Sequence, residues 1–222
     1  YGGLRFFERQ EIKDALAYLR LISNLNDDAA FERVVNTPTR GIGDRTLSII
    51  RETARAQQCS LFQAANFVIA NQQLPGRAAN AVSHFFRLIE ELAEQTESMA
   101  LHEQTDFAIR HSGLYLMYQS EKGEKAQARI ENLEELVTAT KEFVVPDEED
   151  LTPLTAFLTH ASLEAGEKQA DGNADAVQMM TMHSAKGLEF PLVLLAGIEE
   201  GLFPNERTFD EFGRLEEERR LC

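Results

Sequence analysis

The sequence predicts a mainly helical protein, in which an all-helical domain is followed by a small α/β segment. Up to about residue 170, apolar residues recur at helical spacing and no stretch alternates as a half-buried strand would. After the polar stretch EKQADGNADA, apolar residues instead form short continuous runs of strand length, VQMMTMH and PLVLLAGI. This change of period indicates that a helical domain gives way to a different fold.

The helical part divides into segments at residues that favour turns. The first segment, residues 7–22, carries its apolar residues on one helical face. The turn-forming stretch TPTRGIGDRT follows the second segment, and Asp44 is a candidate N-cap for the third. The predicted segments after the first are 27–36, 44–57, 60–72, 76–97, 102–119, 124–143 and 153–166.

Composition is typical of a globular protein. The chain has 222 residues, of which 43% are hydrophobic and 27% charged, and no apolar run approaches the roughly 18 residues of a membrane span. No signal peptide is visible, and Cys59 and Cys222 lack metal-type spacing, so a reducing, cytoplasmic location is expected. The five histidines have no metal-ligand spacing either, and no metal site is predicted.

A net charge of −15 excludes DNA binding by bulk electrostatic attraction, so any nucleic-acid contact must be local. TRGIGDRT offers one candidate, because glycines let backbone N–H groups approach a phosphate and a helix begins there with its positive dipole end. The alternative is an ordinary glycine-rich turn between two helices. The candidate residues for duplex DNA are Arg40, Gly41, Ile42, Gly43, Arg45 and Thr46.

A second candidate site follows the first predicted strand, in MMTMHSAKGLEF. Chemistry in α/β folds sits at the carboxyl ends of strands. Lys186 beside Gly187 would set a cation and a closely approaching backbone next to a phosphate, and Glu189 could accept hydrogen bonds from ribose hydroxyls. Thr181 and His183 could donate to nucleic-acid phosphates. The alternative is a plain strand–turn–strand with a solvated lysine and glutamate.

The chain lacks the residues for ATP hydrolysis by itself. No GxxxxGK[ST] phosphate loop occurs. FVVPDEED imitates a strand that ends in acidic magnesium ligands, but Pro146 interrupts it and it follows a helix. Because the chain begins at Tyr1 instead of Met and stops within a charged stretch, we expect it to be a piece of a longer protein.

Other charged and aromatic groups have structural interpretations. Lys122, Lys125 and Arg129 lie near one face of a predicted helix that is expected to be solvated, and Arg129 and Asn132 are candidates for tying loops together. The phenylalanines at core spacing are predicted to pack inside the protein instead of stacking on bases: Phe85, Phe86, Phe107 and Phe157.

Four motifs in order resemble superfamily 1 DNA helicases of the UvrD, Rep and PcrA type. VQMMTMHSAKGLEFPLVLLAGIEEGLFP resembles motif V, and RLEEERRLC resembles the start of motif VI. YGGLRFFERQEIKDALAYLRL resembles the segment in which that family's chain leaves domain 2A for the inserted domain 2B. NTPTRGIGDRTL resembles the 2B loop that touches duplex DNA. The similarity extends over essentially the whole chain.

The resemblance implies a helical 2B-like domain over residues 1–172 and a partial RecA-like 2A segment over residues 173–222. It places hinges at residues 1–3, through Gly2 and Gly3, and at residues 170–176. For motif V it implies that one set of residues faces the nucleotide and another faces single-stranded DNA. The first set is Lys186, Gly187 and Glu189, and the second is Thr181, His183 and Ser184.

The function that the resemblance implies is that of an ATP-dependent 3′–5′ DNA helicase of bacterial DNA repair, with ATP and Mg as cofactors of the intact enzyme. Its 2B domain would hold duplex DNA and regulate unwinding. This chain alone is expected to be inactive and to hold no bound cofactor, because the phosphate loop is absent and the arginine finger is expected beyond Cys222. Duplex and single-stranded DNA are the expected partners, with repair proteins a further class and no membrane. The alternative is a protein-interaction and autoinhibitory module without DNA binding of its own.

Overall fold

The computed structural model describes residues 6–121, 123–145, 151–166, 179–180, 185 and 189–198. The chain forms two compact units, residues 1–169 and residues 170–222. Helices fill the described part of the first unit, and the described residues contain no strand, which confirms the prediction of a mainly helical chain. None of the described helices is both long and apolar enough to cross a membrane.

The helices of the first unit follow the predicted segments closely, with one exception. The predicted helix at 102–119 is interrupted by Gly113, whose φ of +86° cannot continue a right-handed helix. Two shorter helices result. In chain order the helices are α1 (Gln10–Ser23), α2 (Asp28–Val34), α3 (Asp44–Gln57), α4 (Leu61–Ala70), α5 (Gly76–Thr96), α6 (Leu101–His111), α7 (Leu114–Ser120), α8 (Glu124–Glu142) and α9 (Pro153–Gly166).

The start of α3 differs from the prediction that Asp44 caps it. Gly43 occupies the N-cap position with φ −93° and ψ 173°, and no side chain accepts a hydrogen bond from the first turn. Asp44 is instead the first helical residue, where its carboxylate interacts favourably with the helix dipole. By contrast, Ser60 caps α4 through a reciprocal capping box with Gln63. The N–H groups of Asp44 and Arg45, the first two residues of α3, therefore have no acceptor among the described residues.

The core is built around α1, which packs against α2, α5, α6, α8 and α9. Tyr18 and Leu19 on α1 are completely buried, so the helix is covered on more than the one predicted face. The core prediction is confirmed for Phe85, Phe86 and Phe157, which are buried. Phe107 is only half-buried; its ring stacks on that of His111 with the centroids 3.6 Å apart.

Two buried acids tie α1 to its neighbours. The Oη atom of Tyr118 donates to Asp14 Oδ2 over 2.9 Å, and Arg33 Nε lies 2.7 Å from Asp14 Oδ1. Glu11 Oε1 accepts a hydrogen bond from Asn132 Nδ2 at 2.5 Å. Asn132 therefore joins α8 to α1, and its Oδ1 also accepts a hydrogen bond from Arg9 in the segment before α1.

We expect Asp14 to make the helical unit lose stability as the pH rises above about 4. Burial raises the pKa of Asp14 above its usual 3.8, against the opposing effects of Arg33 and the Tyr118 hydrogen bond. A raised folded-state pKa contributes stability that is complete below the unfolded pKa and is lost as pH rises through the folded pKa. Urea unfolding of the wild type and of Asp14→Asn between pH 3.5 and about 7 measures this. The difference in unfolding free energy, wild type minus variant, should fall with rising pH, and a difference that grows would contradict the assignment.

Apart from Ala185, whose backbone is helical, the described residues of the second unit are irregular. Residues 192–197, predicted as a strand, take no strand conformation, so that prediction is wrong for the described structure. A strand is completed by hydrogen bonds to a neighbouring strand, and no described residue provides one. Of the strand predicted at 177–182, the described residues Met179 and Met180 are likewise irregular and exposed. Among the described residues of this unit, the large apolar side chains that are exposed are Met179, Met180, Leu192, Val193, Leu194, Leu195 and Ile198.

Candidate nucleic-acid interface

The hairpin loop, residues 36–43, connects the end of α2 to the start of α3. Its backbone is shaped by Asn36, whose Oδ1 accepts the N–H of Arg40 at 2.8 Å and the N–H of Ile42 at 3.2 Å. One side-chain oxygen thus bridges residues four and six positions further on. The Ile42 side chain is 1% exposed and inserts into the core. The hydrogen bonds to Asn36 and the buried side chain of Ile42 therefore both fix the conformation of the loop.

Arg40 anchors the hairpin loop to the body of the helical unit. Its Nη1 donates to Val34 O and to Pro38 O, both at 3.0 Å. Its Nη2 donates to Tyr18 Oη at 2.5 Å and to Ser112 O at 3.0 Å. The guanidinium also lies over the aromatic rings of Tyr18 and Phe85. Four of its five N–H donors are satisfied inside the protein.

The structure places three of the predicted site residues on the inner side of the loop. Arg40 was expected to contact a phosphate, but its guanidinium is occupied by internal acceptors. The side chains of Ile42 and Thr46 are 1% and 8% exposed, so neither offers a surface to a ligand. What these three residues contribute is the shape of the loop.

Tyr18 contacts Arg40 through both its hydroxyl group and its ring. Its Oη accepts the Arg40 hydrogen bond and donates in turn to Thr37 O at 2.6 Å. Burial raises the pKa of Tyr18 to about 12, although the nearby charge of Arg40 lowers it. The phenol therefore stays protonated, and able to donate to the loop, throughout the physiological pH range.

The outer surface of the loop and the first turn of α3 present free backbone donors. Gly41, Gly43, Asp44 and Arg45 are exposed, and among the described residues no acceptor is bonded to any of their N–H groups. The N–H of Thr46 is already bonded to Gly43 O at 2.9 Å. A Cβ atom built on Gly41 or Gly43 meets no atom within 4 Å, so the approach from solvent is open.

The charges at this surface favour binding of an anion. The start of α3 carries the positive end of its helix dipole, and Arg45 has no ion-pair partner among the described residues. The Asp44 carboxylate partly offsets both. Several backbone donors aimed at solvent, one free guanidinium and no aromatic platform suit a phosphate group of a nucleic-acid backbone. Such a site reads no base sequence.

Most of the predicted motif V site lies outside the described residues. This applies to Thr181, His183, Ser184, Lys186 and Gly187, as it does to the predicted hinge residues Gly2 and Gly3. Glu189 is described, and it is exposed on irregular backbone. Within the described ranges no three His, Cys, Asp or Glu side chains could hold a metal ion together.

Sequence reasoning missed Asn36, Tyr18 and Ser112 as supports of the loop. Asn36 carried a usable signal, because asparagine before a Thr-Pro turn commonly bonds to backbone N–H groups further along the chain. Tyr18 and Ser112 carried none, since they lie 22 and 72 residues from Arg40 and meet it only in the folded unit.

Comparison with known proteins agrees with the resemblance in the motifs. The chain matches the model of the UvrD-like helicase C-terminal domain over residues 1–222. It is 65% identical over 223 residues to DNA helicase II of Escherichia coli strain K12, with 100% of this chain and 31% of that protein covered. The corresponding protein of Haemophilus influenzae is 66% identical, again with 100% and 31% covered.

A more distant relative extends the similarity. ATP-dependent DNA helicase PcrA of Bacillus subtilis is 42% identical over 230 residues, with 100% of this chain and 30% of that protein covered. The chain thus spans about a third of the length of these relatives. Because the family model matches the chain from end to end, this protein belongs to the UvrD-like helicase C-terminal domain family.

Proposed function

We propose that the chain is part of an ATP-dependent DNA helicase, and that its helical unit holds duplex DNA by the phosphate backbone. The observation that carries this proposal is a set of four exposed residues at the end of the loop and the start of α3 whose N–H groups have no acceptor among the described residues, together with the guanidinium of Arg45. The names of the relatives, DNA helicase II and ATP-dependent DNA helicase PcrA, support the wider assignment.

The contact suits an acidic protein. With a net charge of −15, the chain as a whole repels DNA at long range. Backbone N–H groups and a helix N-terminus attract phosphate without requiring a basic surface. The expected binding is therefore weak, independent of base sequence, and strongest at low salt where the Arg45 contact is least screened.

The remaining roles belong to the same proposal. Domain 2B would regulate unwinding by moving on hinges that include Gly2 and Gly3, and the enzyme would act in DNA repair. Motif V would couple ATP, on the side of Lys186, Gly187 and Glu189, to single-stranded DNA. The ATP and Mg of the complete enzyme would be held largely by residues outside this chain, since the chain has no phosphate loop.

Arg45→Ala is expected to weaken duplex binding by about tenfold at low salt, because it removes one charge-assisted hydrogen bond to a phosphate. The slope of log K against log salt should become shallower by about 0.9. Both effects should be equal for duplexes of unrelated sequence. Fluorescence anisotropy across a salt titration measures the affinity and the slope together.

Arg87→Ala is the matched control, since Arg87 is also an exposed arginine and lies on α5, outside the hairpin loop and α3. It changes the net charge by the same amount and should leave the salt slope unaltered. Equal losses in the two variants would show that only overall charge matters. Tight binding of a repair protein by a chain without duplex affinity would favour the interaction module instead.

A further inference from the structure

We infer that Arg40 is a positioning residue for duplex DNA, which aims the backbone donors of the hairpin loop without touching the DNA itself. This inference rests on the proposed function. Sequence inspection groups Arg40 with Arg45 as two cations of one phosphate site, whereas the structure separates them. Arg45 is exposed, while the Arg40 guanidinium is held by internal acceptors.

The acceptors of Arg40 belong to separate parts of the fold. Val34 O is at the end of α2, Tyr18 Oη is on α1, and Ser112 O lies at the junction of α6 and α7. The fourth, Pro38 O, belongs to the loop. A single planar group therefore joins the loop to α1, to the end of α2 and to the junction of α6 and α7.

The direction of the free donors is set by backbone hydrogen bonds to Asn36, in the loop that the Arg40 guanidinium anchors. The N–H groups of Arg40 and Ile42 point inward to Asn36 Oδ1, at 2.8 and 3.2 Å. With both neighbours turned inward, the N–H of Gly41 between them and that of Gly43 after them remain for an outside acceptor. A phosphate then meets donors that are already ordered, and binding does not have to order the loop.

Lysine cannot replace arginine in this role, although it keeps the charge. Its three N–H donors radiate from one nitrogen, whereas the four acceptors of Arg40 are divided between two nitrogens of a rigid plane. Arg40→Lys would leave carbonyl oxygens unpaired and the loop free to move. This substitution therefore keeps the positive charge at residue 40 and removes the hydrogen bonds that hold the loop.

The test measures duplex affinity and its salt slope for the 222-residue chain, with two duplexes of unrelated sequence. Arg40→Lys is expected to bind about tenfold more weakly, because ordering the loop now opposes binding. Its salt slope should equal that of the wild type, since no phosphate contact is lost. Arg87→Lys, the same exchange at an exposed site on α5, should bind as the wild type does.

Circular dichroism and the urea midpoint show whether Arg40→Lys folds. If it does not fold, Asn36→Ala provides a second test of the same inference. It removes the Oδ1 acceptor without altering any charge, and it should also weaken binding at an unchanged slope. Wild-type affinity in both folded variants, or a slope reduced by about 0.9 in Arg40→Lys, overturns the positioning role. A wild type without salt-sensitive duplex binding overturns the proposed function first, and the positioning role with it.

Discussion

Gly41→Val should remove at least about nine-tenths of the duplex affinity while the helical unit stays folded. Gly41 has a φ of +80°, a conformation that a β-branched residue adopts only with strain of about 1–3 kcal/mol. No atom lies within 4 Å of the added Cβ, so the cost arises from the backbone and not from a clash. The loop relieves this strain by turning its peptide groups, which moves the free N–H of Gly41 away from the phosphate.

Gly43→Ala is the matched comparison, because the two glycines differ in conformation. Gly43 has φ −93° and ψ 173°, which any residue can adopt, and its Cβ also meets open space. The variant should be as stable as the wild type, so any loss of affinity reports a side chain that blocks a phosphate. Fluorescence anisotropy measures the duplex affinity of both variants, and the urea midpoints show whether each variant is folded. Undiminished binding by Gly41→Val would show that the loop conformation is irrelevant to DNA.

Phe85→Ala should lower the free energy of unfolding of the helical unit by about 3–5 kcal/mol. Its side chain is completely buried, packs edge-on against Phe31 with the centroids 5.7 Å apart, and lies under the guanidinium of Arg40. Removing the ring leaves a cavity that the surrounding helices fill only in part. The same change should loosen the hairpin loop, because the Arg40 guanidinium loses the aromatic ring on which it packs.

Phe107→Ala provides the comparison on the surface of the same unit. Phe107 is half-buried, and its ring stacks mainly on His111. Its removal should cost less than about 2 kcal/mol, because much of the site is already open to water. Urea unfolding followed by the helical circular dichroism signal compares the two variants. Equal losses would mean that Phe85 is not at the centre of the core.

The helical fold could be predicted because the apolar residues of the first unit repeat with the period of a helix. The interruption at Gly113 was missed, since the apolar pattern continues across it and only the backbone angle reveals the break. The N-cap of α3 was displaced by one residue, because aspartate is the commoner capping residue and its side chain gave the stronger signal.

The sequence could predict which residues of the loop face solvent only in part. The glycines and Arg45 follow from local chemistry, and the structure leaves them exposed. The Arg40 guanidinium bonds to Tyr18 and Ser112, which are distant in sequence, so no local pattern distinguishes an internally bonded arginine from one that faces solvent. The strand predicted at 192–197 is absent from the described structure. An apolar run forms a strand only where a neighbouring strand completes its hydrogen bonds, and the sequence pattern does not show whether such a neighbour is present.

The most direct test of duplex contact at the hairpin loop follows the backbone amide signals of the isotope-labelled chain during titration with a short duplex at low salt. The N–H signals of Gly41, Gly43, Asp44 and Arg45 should shift together along one saturating curve. The N–H of Ile42 is bonded internally to Asn36 and should shift far less, which makes it a control within the same loop. If duplex DNA saturates the chain while these four signals stay in place and others move, the phosphate backbone is held somewhere else.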